Sequence, residues 1–201
     1  NKDGDAEWYQ RNEDNPMIQQ KDDSKVTTQF SEDLIQTTGK KMFAPINGGF
    51  GLSATYKNVS LDLAFSYALG KWLINEDRYY TLNQSTFGGK NFNRELFNYW
   101  KQEGDDTELP KLSSAYYMRK DTRLLENASY MRLKSISLSY ALPQEVIDQM
   151  RFFSGVRLYA SARNIFTITK YSGADPEFSN TLSRGGYPPA RQFTIGVELK
   201  F

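Results

Sequence analysis

The chain ends on Arg191-Gln192-Phe193-Thr194-Ile195-Gly196-Val197-Glu198-Leu199-Lys200-Phe201. Its odd positions are Phe193, Ile195, Val197, Leu199 and Phe201; its even positions are Gln192, Thr194, Gly196, Glu198 and Lys200. A strand sends alternate side chains to opposite faces, so this one has an apolar face and a wet face. Its length matches the roughly 9–11 residues that a tilted strand needs to cross a bilayer. A strand of a soluble sandwich alternates in the same way, so the rest of the chain has to choose between the two.

Working back from the end, the same pattern recurs. Val59, Leu61, Leu63, Phe65, Tyr67 and Leu69 alternate with Ser60, Asp62, Ala64, Ser66, Ala68 and Gly70. That run is about twice the five or six residues usual for a strand of a globular domain. Its second face is small and polar, suited to lining water or a plug. Before it, Phe50, Leu52, Ala54 and Tyr56 alternate with Gly51, Ser53 and Thr55, and Lys57-Asn58 makes a tight turn in which Asn58 is expected to take the positive φ. From Ser129 to Leu142, Ile136, Leu138, Tyr140 and Leu142 oppose Ser135, Ser137 and Ser139. Arg132 and Lys134 share the apolar parity there and are expected at the loop end, above any hydrocarbon, where a charge costs little. Val156, Leu158, Ala160 and Ala162 alternate with Arg157, Tyr159, Ser161 and Arg163 in the strand before the last.

The predicted strands are about 49–57, 59–71, 128–142, 155–169 and 191–201, within a barrel portion at 48–201. Residues 1–47 are polar and broken by Asp, Asn, Gly and Pro, and read as loop. Asn1, Asp3 and Asp5 have the spacing that opens a calcium loop, but Ala6 and Asn12 stand where such a loop needs Gly and Glu, so a solvated acidic turn is the reading. Between the strands run connections at about 72–127 and 170–190, while Pro143 to Asp148 opens a helical turn. Within the first of these, the spacing of Leu96, Phe97 and Trp100 predicts a short amphipathic helix over 93–101. Up-and-down strands put alternate connections on alternate sides. Both long connections therefore fall on one side, and both short turns and the C-terminus on the other, the asymmetry of an outer-membrane barrel.

The totals agree. Lys+Arg 25 against Asp+Glu 24 gives no basic footprint for nucleic acid. With no His and no Cys, the chain has no imidazole base, thiol nucleophile or ordinary zinc site, and neither a cofactor nor a metal is expected. A mean hydropathy of -0.65 contains no apolar run long enough for a membrane helix, which says nothing against a barrel. Thirteen Tyr and thirteen Phe in so polar a chain suit interfacial girdles, with Tyr56, Tyr67 and Tyr140 as candidates. The opening at Asn1, with no Met or leader, reads as a fragment or a processed piece.

Four stretches, in the right order, resemble the C-terminal end of the SusC/RagA family of TonB-dependent outer-membrane transporters of Bacteroidota. They are Ala44-Pro45-Ile46-Asn47-Gly48-Gly49-Phe50-Gly51-Leu52; Leu124-Leu125-Glu126-Asn127-Ala128-Ser129-Tyr130-Met131-Arg132-Leu133-Lys134; Ala162-Arg163-Asn164-Ile165-Phe166-Thr167 with Lys170-Tyr171-Ser172-Gly173-Ala174-Asp175-Pro176-Glu177; and the closing strand. The likeness runs from about residue 30 to the end, and the motifs are specific together and weak singly. It implies an all-β fold, the C-terminal strands of a 22-stranded antiparallel transmembrane β-barrel filled by a plug, with long extracellular loops. It further implies a SusD-like surface lipoprotein as partner, TonB engaged through an upstream plug region, outer-membrane lipid around the barrel, and import of oligosaccharides or oligopeptides. A passive porin and a soluble glycan-binding β-sandwich are the alternatives; an enzyme is not expected, because no carboxylate pair has a persuasive context.

Candidate contacts with substrate or partner are the aromatics of the long connection, Trp72, Tyr79, Tyr80, Phe87, Trp100, Tyr116 and Tyr117, whose faces can stack on sugars or pack the loop. Phe193, Ile195, Val197, Leu199 and Phe201 read plainly as a lipid-facing strand, and the resemblance makes them the barrel-insertion signal as well. Arg157 and Arg163 are expected on the lumen side, paired with plug carboxylates or with one another's neighbours along the wall.

Overall fold

A computed structural model describes residues 1–12, 20–86, 89, 91–113, 116, 118–178, 182–183 and 186–201. The strands are β1 (Trp8–Arg11), β2 (Lys21–Thr27), β3 (Ile46–Tyr56), β4 (Val59–Leu69), β5 (Trp72–Asn75), β6 (Leu125–Asn127), β7 (Tyr130–Ala141), β8 (Gly155–Thr169), β9 (Leu182–Ser183) and β10 (Gln192–Lys200); the helices are α1 (Glu76–Leu82) and α2 (Gln144–Met150). The chain divides into two compact units. One comprises Asn1–Lys41, Ile74–Glu126 and Leu182–Gly185, the other Met42–Leu73, Asn127–Thr181 and Gly186–Phe201.

The second unit is built on a five-stranded sheet in the order β10-β8-β7-β4-β3, antiparallel at every step. Its register aligns apolar side chains into rows that cross the strands. Tyr56, Val59, Tyr140, Leu158 and Val197 form one such row, and Ala54, Leu61, Leu138, Ala160 and Ile195 the next. Phe50 stacks on Phe65 with ring centroids 4.9 Å apart, which helps leave the central side chains Leu61, Leu63 and Phe65 half-buried. The face as a whole stays open: Ile195 is 87% exposed, and Leu52, Tyr56, Leu138, Phe166 and Phe193 are exposed with it. A sandwich requires these side chains to be covered. Each large apolar side chain left in water forgoes about 1.5–3 kcal/mol, so a face this wide demands an apolar environment of its own. The other face carries Thr55, Ser60, Ser139 and Tyr159 in one row and Ser53, Asp62, Ser137, Ser161 and Thr194 in another.

Two local expectations fail for physical reasons. Arg132 and Lys134 do not share the apolar face. Leu133 pairs with Phe65 but Ser135 with Ala64, so β7 carries one residue more than β4 at this point. Such a bulge reverses parity beyond it. Arg132 therefore opposes Ser66 and Thr167 on the polar face, while Leu133 and Ile136 both belong to the apolar one. A second extra residue enters β8, where Asn164 has φ +54°. At the β3–β4 turn it is Lys57, not Asn58, that takes the positive φ (+51°). Asn58 is used sideways instead: its side-chain amide donates to the Ala141 carbonyl and its own carbonyl accepts from the Ala141 N–H, both at 2.9 Å.

The first unit also departs from the sequence reading. Within 1–47, taken as loop, β1 and β2 pair as an antiparallel hairpin. The 72–127 connection is not bare loop: it holds α1, whose N-cap Asn75 accepts from the Arg78 N–H at 3.0 Å, and a core of Tyr79, Leu82, Leu96, Leu109, Met118 and Leu124. The helix predicted over 93–101 is a single 3-10 turn at Arg94–Phe97. Leu96 is buried and Phe97 exposed, so the two do not share a face. Asn1, Asp3 and Asp5 form a turn in which the Asn1 side chain accepts from both following N–H groups, and no metal-ligand cluster occurs among the described residues.

One glycine sets a close approach in the sheet. A Cβ on Gly49 would lie 2.8 Å from the Phe65 carbonyl oxygen, whereas one on Gly51 would lie 3.2 Å from that of Leu63. Overpacking of this kind costs about 1–3 kcal/mol. Gly49→Val is therefore expected to lower the midpoint of chemical unfolding of the full-length protein in detergent, and Gly51→Ala to lower it less.

Candidate functional site

Two groupings stand out, one in each unit. In the sheet unit, the rim of the polar face at the long-connection end holds a buried ion cluster. Arg132, 3% exposed, donates to Asp175 at 2.6 Å and to Glu177 at 2.6 Å, and its Nε donates to the Thr167 hydroxyl at 2.7 Å. Lys134 Nζ reaches both oxygens of Glu177 at 2.7 and 2.8 Å. Lys71 Nζ donates to the carbonyls of Pro176 and Phe178 at 2.7 and 2.6 Å. Burial pushes the Lys71 ammonium below the usual lysine range, and the charges of Asp175 and Glu177 pull against that shift. The cluster fastens Asp175-Pro176-Glu177, the start of the second long connection, onto β7. Beneath it Leu73, Ala128 and Tyr171 form a small core with Met42 and Phe178 against them. Sequence reading missed this site because the bulge hid the parity of Arg132. The available signal was the misfit itself, an arginine apparently on a greasy face with two carboxylates of the right spacing downstream.

Farther along the polar face, Arg157 pairs with Glu198 across β8 and β10, and Ser53 Oγ donates to Asp62 at 2.6 Å across β3 and β4. Of the two readings for Arg157, the partner found is a neighbour along the wall. Arg163 lies exposed on the same face in register with Ser135 and Gln192.

In the loop unit, the aromatic candidates separate by burial. Tyr79 is core, and Tyr80 and Tyr116 pack on the core from outside. Trp72, at the start of β5, belongs to the sheet unit and is half-buried. Trp100 is half-buried because its ring lies on Gly4: a Cβ there would come 2.3 Å from the indole, and Gly4 itself has φ +77°. Lys111 completes that attachment by donating its N–H to the Gly4 carbonyl (2.9 Å) and its ammonium to Asp5 (3.0 Å). Phe87 and Tyr117 lie outside the described residues.

Beside these rings runs a charged chain of contacts. Trp8 Nε1 donates to Asp121 at 2.9 Å, Asp121 holds Arg123 through both oxygens, and Arg123 Nη2 donates to the Tyr116 hydroxyl at 3.0 Å. Burial opposes the Arg123 charge, but its hydrogen bond and charge contact with Asp121 raise its pKa overall; burial likewise raises that of Tyr116. Arg78 grips Glu95 through a fork, and the hydrogen bond that it donates to Glu95 raises its pKa. These charges are spent on holding the loops in shape. A cleft of about 160 Å³ lined by Asp5, Glu7, Trp100, Glu108 and Arg123 lies alongside. Phe97, absent from the aromatic candidates, is 77% exposed on its 3-10 turn.

Comparison with known proteins gives a consistent picture. No protein-family model matches the chain. It is 34% identical over 165 residues to TonB-dependent receptor P3 of Formosa agariphila, covering 76% of this chain and 16% of that protein. To TonB-dependent receptor SusC of Bacteroides thetaiotaomicron it is 27% identical over 165 residues, 81% of this chain and 16% of that protein. Among solved structures, that of the RagAB peptide importer in the 'open-open' state superposes with a TM-score of 0.84 at 39% identity, over 100% of this chain and 21% of the other. The chain thus spans 16% of the length of the curated relatives it matches. These relatives are receptors and importers, not enzymes.

Removing one member of a buried ion pair strands the other, at a cost of about 3–5 kcal/mol, whereas exposed pairs contribute about 0–1 kcal/mol. Arg132→Ala is expected to destabilise the full-length protein in detergent by the larger amount and to expose the 170–178 segment to limited proteolysis. Lys134→Ala, whose side chain is 38% exposed, should stay within the smaller one.

Proposed function

The chain belongs to the SusC/RagA family of TonB-dependent receptors, and from that premise we propose that it supplies closing strands of an outer-membrane importer. The observation that carries this reading is the open apolar face of the five-stranded sheet, with a hydroxyl-rich face behind it. Lipid covers the first face and the second lines the lumen. Neither outer edge of the sheet, β3 or β10, has a strand beside it among the described residues. These edges pair with strands elsewhere in a full barrel of the 22-stranded, plugged class. In this reading the β3–β4 turn, the α2 connection and Phe201 face the periplasm, the side that takes the short connections. The Asp175–Glu177 anchor, at the start of a long connection, belongs to the extracellular end.

The whole receptor imports an oligomeric nutrient, a peptide or an oligosaccharide, driven by TonB acting through a segment upstream of this chain. A SusD-like lipoprotein covers the extracellular mouth. The 39% identity to the RagAB peptide importer makes peptides the first cargo to test. Phe97 is the aromatic of the loop unit best placed to touch cargo or lipoprotein, because Tyr79 and Trp100 are committed to packing.

Two measurements test the reading. An arginine on the lipid face near mid-membrane costs about 2–4 kcal/mol, while one on the lumen face is tolerated. Ile195→Arg should therefore reduce heat-modifiable barrel in outer membranes, and its neighbour Thr194→Arg should leave it near the parental amount; equal loss from both would refute the assignment of faces. In cells carrying the full transport complex, Phe97→Ala is expected to slow growth on a peptide supply at unchanged barrel level. Growth at the parental rate would remove Phe97 from the contact surface.

A further inference from the structure

The connection between β7 and β8 is more than a turn. Pro143, Val146, Ile147 and Met150 recur at the i, i+3, i+4, i+7 spacing of one helix stripe, while Gln144, Glu145, Asp148 and Gln149 occupy the opposite side. Only Ile147 of that stripe is fully buried; it anchors α2, which packs on β8. Val146 and Met150 remain 40% exposed each, and all four polar residues face out. The helix ends at Arg151, which adopts φ +57°, and this left-handed residue throws Phe152 outward, 83% exposed. Phe153 packs on Phe201, ring centroids 5.3 Å apart, while Phe201 is itself 87% exposed. The Ser154 N–H donates to the Lys200 carbonyl at 2.7 Å, and that of Leu142 to the Val156 carbonyl at 2.9 Å, so the segment is tied at both ends to strand termini.

This apolar group continues the row of Tyr56, Val59, Tyr140, Leu158 and Val197 past the ends of the strands, through Leu199 and Phe201. Lys57, whose ammonium lies over the Tyr56 ring, and Arg151 are exposed at the same end. We propose that residues 143–153 form an interfacial foot, with Val146, Met150 and Phe152 inserted among the acyl chains of the inner leaflet and the Gln144–Gln149 side facing the periplasm. The occupant is lipid rather than a protein partner, because Phe153, next in the chain to Phe152, packs on Phe201 at the end of the apolar series of β10, and the exposed cations Lys57 and Arg151 stand at the same end. Its role is to fix the depth of the barrel wall at its last hairpin.

The proposal rests on the barrel reading, and one experiment separates the two. The chain has no cysteine, so single spin labels can be placed at Phe152→Cys, Asp148→Cys and Ile195→Cys in the full-length receptor, any cysteine elsewhere being replaced by serine. The receptor is reconstituted alone in phosphatidylethanolamine–phosphatidylglycerol vesicles, and each label is relaxed with oxygen, which partitions into lipid, and with a water-soluble nickel chelate. The expected result is oxygen-dominated relaxation at 195 and 152 and nickel-dominated relaxation at 148. Oxygen at 195 with nickel at 152 overturns the foot, leaves the barrel standing and assigns Phe152 to an aqueous contact. Nickel at 195 overturns both.

Discussion

A strand in hydrocarbon has nowhere to place an unpaired N–H or C=O except on another strand, and this constraint governs the sheet. Water can satisfy an exposed edge of a soluble sheet; lipid cannot. Once the apolar rows of β3, β4, β7, β8 and β10 are assigned to lipid, the outer edges of β3 and β10 must be paired, and the sheet is part of something closed. The long strands follow from the same requirement. β8 has 15 residues and β7 has 12, because the hydrogen-bonded ladder must continue through the whole apolar layer and out of it.

The two bulges shift the parity of the strands without breaking the ladder. The extra residue at Lys134 turns Arg132 to the polar face, where Asp175, Glu177 and Thr167 complete its hydrogen bonding, while Leu133 and Phe166 stay on the apolar one. The cluster is an expensive construction by the usual desolvation argument, and replacing it with packed apolar groups could be as stable. What such groups would not supply is direction. The planar guanidinium accepts carboxylates only along its edges, so it fixes where Asp175-Pro176-Glu177 sits on β7. The long connection that follows thus leaves the sheet from a defined point.

The loop unit shows a different economy. Its core of Leu and aromatic side chains, and its web of Arg78, Asp121 and Arg123 contacts, give a stretch rich in Asn, Gly and Asp enough buried surface to hold a shape. Most of the rings that look like recognition residues are consumed in that task. Trp100 on Gly4 is the clearest case, because the contact exists only where a residue with no Cβ lies beneath the indole. Aromatic content in a long connection therefore measures how much packing the loop contains before it measures what the loop binds.

Alternation of period two was enough to read the five long strands, the two faces and the tight turn at residues 57–58, since each is decided by residues within a few positions of one another. The same local rule misassigned Arg132, because a bulge is a disagreement between two strands and neither strand records it alone. It left the hairpin in 1–47 and the core of 72–127 unread, because both depend on pairings with no regular period. The partners of Arg132 lie 43 and 45 residues away, and Trp8 reaches its Asp121 across 113. Side-chain direction along one strand is local chemistry. Which charge is buried, which ring is core and which is left for a partner is settled only when distant segments meet.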